Sequence, residues 1–483
     1  MTDQTPFLDR AHAILGDKGL SRDAEAMAPW LTDWRGRYEG RAMALASPAS
    51  TAEVATLVKL CAETGTPIVP QGGNSGMVGG ATPDDSGTAL LLSLRRLDTL
   101  EIDSAASLAR CGAGVVLQTL HEAAEAKALR FPLSLGGKGS ATVGGLVSTN
   151  AGGTQVLRHG VMRELVAGLE VVTPGGEILD LTAPLKKDNR GFDLKQVFIG
   201  SEGTLGIVTA AVLKLVPAIA ERRVVWAGLP DIHTARRLLL HCQGRMGAAL
   251  EGFEVVPADC LDTVVDYLPD AHHPLEGRHA WNALLEFDAD ADGAPALGDA
   301  VEACLASALE AGLVEDAVIA ASETQAEALW ALRENIAPAE KAHRPAVQHD
   351  IAVPPEAMPD TLTMLETVIP QQFPGHEVRG FGHLGDGNIH LHVLAPEGSE
   401  PARWEREQGK AISRFVYEKI AAASGTISAE HGIGQDKRDV LAATRAPAEI
   451  AVMQAIKDAL DPAGLLNPGK LVPARLAKDE RTP

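Results

Sequence analysis

The sequence predicts an α+β protein of two domains, the second built around an antiparallel sheet. Three observations lead there. Glycine crowds into residues 72–80, 136–153 and 200–206 and thins out through the long middle of the chain. From Glu221 onward the pattern changes to strand-like runs alternating with helix-like ones. Residues 379–393, RGFGHLGDGNIHLHV, carry the alternation and the central Asp-Gly of a β-hairpin.

In the first half, the short apolar or β-branched runs 67–69, 89–92, 166–172, 197–199 and 207–216 read as strands between turns, and 51–64 reads as a helix. In the second half 222–227 and 280–287 read as strands, and 232–243, 298–311 and 324–335 as helices. Residues 447–460 form an amphipathic helix, stopped by the Pro and Gly of DPAGLLNPGKL. The expected boundaries are a helical N-terminal segment at 1–40, a first domain at 41–217, a second at 218–425 that carries the hairpin, a C-terminal segment at 426–475, and a loose tail at 476–483.

In the hairpin, a two-residue Asp386-Gly387 loop would set His383 opposite His390 and Phe381 opposite His392. Direct cross-strand partners hold their Cβ atoms roughly 5 Å apart, so two imidazoles on one face can share a cation. Further along, Glu430-His431 offers a carboxylate ligand and a spare base. A His383, His390, Glu430 set leaves coordination positions open, which suits catalysis better than a structural zinc, whose four positions are closed. A lone buried histidine is most often a hydrogen-bonded core residue; the pairing across the hairpin is what lifts these two above that. His392 lies on the same face and reads as a supporting residue.

Composition narrows the partners. At 483 residues, 45% of them hydrophobic, the chain can fill ordinary large cores. Its net charge of −21 disfavours nucleic acid and anionic membranes as partners, so an anionic ligand must be drawn by local cations. Five scattered cysteines without a CxxC suggest neither disulfides nor a cysteine zinc site. No apolar run reaches spanning length, and the N-terminus lacks a basic start followed by an apolar block, so a protein of the cytoplasm that does not span the membrane is expected.

The glycine loops point to an anionic, extended ligand. PQGGNSGMVGG follows a strand-like run, and its glycines let successive backbone N–H groups turn toward one pyrophosphate. PLSLGGKGSATVGGLVSTNAGG offers the same close approach twice more, and GSEGTLGIV is a tight turn entering a strand. Any one of them alone reads as an ordinary turn. The GxGxxG fingerprint is missing from these loops, and the GxxxxGK at Gly464–Lys470 has Leu471 where a phosphate-binding loop needs Ser or Thr.

Those loops, together with WRGRYEG, KKDNRGFDLKQVFIGSEGTLGIVT, FGHLGDGNIHLHV, SAEHGIG and LNPGKL, strongly resemble the FAD-binding D-2-hydroxy-acid dehydrogenase family of the vanillyl-alcohol-oxidase (PCMH) type, its D-2-hydroxyglutarate branch most of all. The resemblance runs from Leu31 to Leu471. It implies a PCMH-type FAD-binding domain, a substrate or cap domain, and a C-terminal segment that returns to the first domain. It assigns Pro70, Gln71, Gly72, Gly73, Asn74, Ser75, Gly76, Gly136, Gly139, Ser140, Gly144, Gly145, Asn150, Ala151, Gly152, Gly153, Glu202, Gly203, Ile207 and Asn467 to FAD. Some relatives attach flavin through a histidine in the first loop; Asn74 stands there, which implies noncovalent FAD.

Oxidising a 2-hydroxy acid requires the carboxylate held, the hydroxyl proton removed and the hydride delivered to flavin. His383, His390 and Glu430 would hold a divalent metal, zinc first and manganese or cobalt next, that acidifies the hydroxyl. His431 would take the proton, since an ordinary histidine titrates at about 6.5. Arg333 would clamp the carboxylate and Asn388 orient it. All six positions match the family motif. Where D-2-hydroxyglutarate dehydrogenases commonly have a Thr four residues after the arginine and a Lys before the aromatic-Asp pair, both aiding a second carboxylate, this chain has Ala337 and Gln348. Lys341, His343, Arg344 and His349 are the cations at hand to compensate, and D-lactate or another small D-2-hydroxy acid becomes the rival substrate. A metal-dependent hydrolase or lyase without flavin, and a flavoprotein acting as a partner-binding subunit, are the readings of other classes. The electron acceptor, whether electron-transfer flavoprotein, quinone or cytochrome, leaves no internal motif, and oligomeric state, a homodimer included, stays open.

Overall fold

The computed structural model describes residues 4–474; the expected tail at 476–483 lies outside them, as does residue 475. Two compact units emerge. One comprises the chain up to Gly153, Gly160–Val216 and everything from Glu430; the other comprises Thr154–His159 and Pro217–Ala429. The expected edges at 217/218 and 425/426 thus fall at 216/217 and 429/430, and 1–40 joins the first unit. Residues 154–159, expected in the first domain, belong to the second, because Leu157 packs so closely on Gly385 that a Cβ there would sit 2.6 Å from it. Arg158 also donates to Glu251 at 2.9 Å.

The first unit holds two sheets. In one, Ala44–Ala46, Leu90–Ser93 and Ile68–Gln71 run parallel, with Leu20–Ser21 added antiparallel at the edge. The helix Thr51–Thr64 makes the crossover: Ser50 caps it by accepting from the Glu53 N–H, and Gly65 ends it in the left-handed region. Its Val54, Leu57, Val58 and Leu60 are buried with Ile68, Leu90 and Leu92. The other sheet is antiparallel, in the order Leu100–Asp103, Leu108–Gly112, Ile207–Lys214, Val166–Val172, Ile178–Leu181. Residues 197–199, expected as a strand, lie at the end of the helical turn Lys195–Phe198. The N–H groups of Gln196, Val197 and Ile199 find acceptors three or four residues back, so no strand partner is needed.

The second unit is a seven-stranded, wholly antiparallel sheet in the order Asp316–Ile319, Glu221–Leu229, Trp281–Ala289, Leu250–Pro257, Glu377–His383, Asn388–Leu394, Ala346–Ala352. One face buries Trp226, Val256, Leu284 and Phe381 under Ala258–Tyr267, Glu323–Glu334 and Ile336–His343. Met358–Gln372 covers the other face, where Leu362 reaches Gly380 and would stand 2.3 Å from a Cβ there. Ile232–Met246 packs beside it and against Ala294–Glu310, bringing the Cys242 and Cys304 sulfurs within 3.9 Å.

The hairpin forms, with a different register from the one expected. His383 pairs with Asn388, Phe381 with His390 and Arg379 with His392, so the loop is the four residues 384–387. A two-residue loop of the favoured type needs positive φ at both positions. Here Gly387 has φ 81 whereas Asp386 stays outside the positive region. Leu384 is drawn to the neighbouring strand instead, donating to the Phe253 carbonyl at 3.1 Å. The slip is by two positions, so both histidines keep the same face.

Candidate functional site

In the first unit the loop after Ile68–Gln71 is shaped by backbone contacts. A Cβ on Gly73 would lie 1.7 Å from the Ser140 carbonyl oxygen, and one on Gly72 would lie 2.2 Å from Thr142 Oγ1. The two glycine loops therefore cross at van der Waals contact, which only glycine permits. Asn74 is left-handed at φ 52, its Nδ2 donating to the Thr32 carbonyl at 2.9 Å. Among the described residues the N–H groups of Gly72, Gly73, Ser75 and Gly76 meet no protein acceptor, the arrangement of an anion-binding nest. A Cβ on Gly76, Gly136 or Gly139 would touch nothing within 4 Å, so those glycines border open space. Gln71 Oε1 and Thr142 Oγ1 are buried without a partner. Pro70, within the strand Ile68–Gln71, would meet a Cβ on Gly203 at 2.5 Å.

The second loop leads into the helix Val143–Thr149, whose Gly144 lies against Ala113, with a Cβ position 2.7 Å away. Asn150 ends that helix in the left-handed region and accepts from the Arg163 N–H, after which Ala151 is buried and Gly153 passes the Ser134 carbonyl. This crowded, glycine-lined backbone with orphaned polar atoms fits a dinucleotide-sized cofactor such as FAD.

Three of the residues assigned to FAD also have structural work. Ile207 is a core residue at the start of its strand. Glu202 is buried, with its two oxygens accepting the N–H groups of Ile433 at 2.7 Å and Gly434 at 2.8 Å. Burial pushes its carboxyl upward, against those two donors and Lys437. Asn467 donates to the Gly80 and Glu202 carbonyls. Glu202 and Asn467 thus brace loops, and the loop Glu202 holds is the one that opens with Glu430 and His431. That segment follows directly on Ala429, the last residue of the second unit, whose N–H donates to the Asp350 carbonyl.

In the second unit, the covered face of the sheet turns polar toward the hairpin. His383 Nε2 and His390 Nε2 face one another at 3.4 Å, the rings 5.3 Å apart and nearly perpendicular. Glu254, opposite His383 on the adjoining strand, is 1% exposed. One of its oxygens accepts from His383 Nδ1 and the other from Arg333 Nε at 2.7 Å. Burial raises the Glu254 carboxyl, and His383 with Arg333 outweigh it, leaving the group at about 2. The Arg333 guanidinium lies over the Phe381 ring at 4.9 Å, and among the described residues its two Nη groups meet no acceptor. Asn388 donates to Asp350 Oδ1 at 3.0 Å and the Ile351 carbonyl at 2.9 Å, while its own Oδ1 is buried without a partner.

Beyond Phe381 the same face continues as His392, paired with the fully buried Glu340, which also meets Cys260 and Arg379. Gln348 is directly across from His392. His383, His390, Arg333 and Asn388 are therefore together on or beside one face. Glu254 and Asp350 join them unannounced by any motif; the signal for Glu254 was a pair of charges, Glu251 and Glu254, in the otherwise apolar run LEGFEVVP.

Comparison with known proteins bears on both units. Residues 219–471 match the family described as FAD linked oxidases, C-terminal domain, and residues 42–182 match the family described as FAD binding domain. The chain is 36% identical over 468 residues to a probable mitochondrial D-2-hydroxyglutarate dehydrogenase of Oryza sativa subsp. indica, covering 95% of this chain and 80% of that one. It is 33% identical over 479 residues to a D-2-hydroxyglutarate dehydrogenase of Stutzerimonas stutzeri (strain A1501), covering 98% and 100%. Among solved structures, p-cresol methylhydroxylase with substrate bound aligns at a TM-score of 0.73 and 14% identity, covering 96% of each chain, a likeness of fold.

Proposed function

Since the chain belongs to the FAD-linked oxidase family, among relatives named D-2-hydroxyglutarate dehydrogenase, we propose that it oxidises a D-2-hydroxy acid to the 2-oxo acid, with noncovalent FAD as hydride acceptor. The observation that carries this reading is the pair of opposed imidazole nitrogens, His383 and His390, beside a half-buried guanidinium whose Nη groups meet no acceptor among the described residues. Neutral imidazoles with facing Nε2 atoms fit a divalent cation, and Glu430 supplies a carboxylate as third ligand. Zinc suits this N, N, O set, as do manganese and cobalt. Such a cation, when bound, supplies positive charge that lowers the pKa of a substrate hydroxyl. Arg333 holds the substrate's C1 carboxylate through its two Nη groups. Asn388 orients the substrate's oxygens, and His431 Nε2 or Nδ1 takes the hydroxyl proton as hydride leaves C2. Electrons then pass to an acceptor outside the chain, an electron-transfer flavoprotein, a quinone or a cytochrome.

The relatives' names favour D-2-hydroxyglutarate as substrate, whereas the far side of Phe381 favours a shorter or neutral one. Arg379 there is tied to Glu377, and His392 to Glu340. Arg344 is paired with Glu377 and His349 with Ser413 Oγ, while Lys341 and His343 are exposed. Gln348 and Ala337 add no cation. An anaerobic screen of D-2-hydroxyglutarate, D-malate and D-lactate, with and without chelator, decides: D-2-hydroxy acids should bleach the flavin and the chelator should abolish bleaching. A colourless protein, or flavin that none of them reduces, sinks the proposal.

A further inference from the structure

We propose that Glu254 is a positioning residue that couples the metal ligand His383 to the carboxylate clamp Arg333, an inference that rests on the metal-site reading above. Its two carboxylate oxygens are divided between the two groups, one on His383 Nδ1 and one on Arg333 Nε at 2.7 Å. By accepting the Nδ1 proton, Glu254 fixes the tautomer in which Nε2 carries the lone pair, and Nε2 is the atom that faces His390 at 3.4 Å. By engaging Nε, it fixes the guanidinium plane over Phe381 and leaves the Nη edge for a carboxylate.

The placement is built into the sheet. Glu254 is the direct cross-strand partner of His383, in a strand buried at every position. At 1% exposure water cannot substitute for it, and without it Arg333 Nε and His383 Nδ1 would both lose the acceptor that orients them. One side chain therefore keeps the hydroxyl-binding and carboxylate-binding halves of the site in register. An amide at this position could accept from only one of the two donors, because its nitrogen would confront the other.

The test uses full-length, FAD-loaded protein with Co2+ as the probe, comparing wild type with Glu254→Gln and Glu254→Asp. The expected result for Glu254→Gln is a loss of Co2+ affinity of about 10–100-fold in a competitive chelator titration, with an altered ligand-field spectrum and unchanged flavin content. KM for the 2-hydroxy acid should rise as well as kcat fall, because Arg333 loses its anchor. Glu254→Asp, which keeps two oxygens, should recover part of both losses, a rescue that packing alone would not give. Wild-type affinity, spectrum and KM in Glu254→Gln overturn the inference while leaving the metal site standing. Failure of the wild type itself to take up Co2+ overturns the metal site, and this inference with it. If Glu254→Gln loses flavin, Glu254→Asp is read against wild type alone, wild-type Co2+ affinity and KM supporting the inference and a loss of both overturning it; where both variants keep flavin, equal defects would assign Glu254 to packing.

Discussion

The two units build their sites by opposite means. In the first, the reactive surface is main chain: glycines at 72, 73, 144 and 153 let backbone segments pass at distances that exclude a Cβ, and N–H groups left over at the crossing offer hydrogen bonds. In the second, the surface is side chains on a rigid antiparallel sheet, where strand register decides which groups meet. A backbone site is sensitive to one added carbon atom and indifferent to charge. A side-chain site tolerates size changes at its edges and depends on each donor and acceptor.

The largest expected effect comes from the crossing itself. Gly73→Ala puts a carbon 1.7 Å from the Ser140 oxygen and should cost the first unit its fold or its flavin, whereas Gly139→Ala, with nothing within 4 Å, should keep the melting temperature and lose only FAD affinity. Thermal unfolding with flavin release as readout separates the two, and equal behaviour would break the contrast. Next come the histidines. His383→Ala should lose bound metal, while His431→Ala should keep metal and FAD and drop turnover about 10²–10⁴-fold; equal metal loss in both would remove His431 as base. Arg333→Lys gives up the planar fork, and a charge-assisted contact of about 1.5–3 kcal/mol should appear as a KM roughly 10–100-fold higher with flavin retained. The smallest effect is Phe381→Leu, which removes the ring under Arg333. A loss of about 1 kcal/mol predicts a fall of a few degrees in melting temperature of the second unit, measured by calorimetry.

The same contrast explains what could be read from the chain. Glycine announces close backbone approach, so the shape of the loops at Pro70–Gly76 and Gly136–Gly153 was legible in the sequence, while the ligand assigned to their residues came from the resemblance. The helix Thr51–Thr64 was equally plain from its own run, and the structure adds Ser50 and Gly65 as its caps. The side-chain site was legible only in part: His383 and His390 were placed on one face, yet the wrong residues were set opposite them, because loop length was inferred from Asp386-Gly387 alone. Leu384, bonded to a strand more than a hundred residues earlier, settled the register, and no local pattern reports such a contact. Glu254 went unseen for the same reason: its partners lie 129 and 79 residues away. Glu202 sits in the recognised motif, and the loop it also holds, 231 residues later, is one that no local pattern reports.

The four-residue loop 384–387 also sets a rule for how this protein can vary over evolutionary time. Because side chains along a strand alternate between faces, a one-residue slip of Asn388–Leu394 against Glu377–His383 would turn Ile389, Leu391 and Val393 toward the polar face and send His390 and His392 to the side that Met358–Gln372 covers. A change of two would preserve the alternation. Descendants of this chain should therefore vary that loop only in ways that leave His383 opposite Asn388, and a lineage whose register has slipped by one should have abandoned the chemistry while retaining the fold.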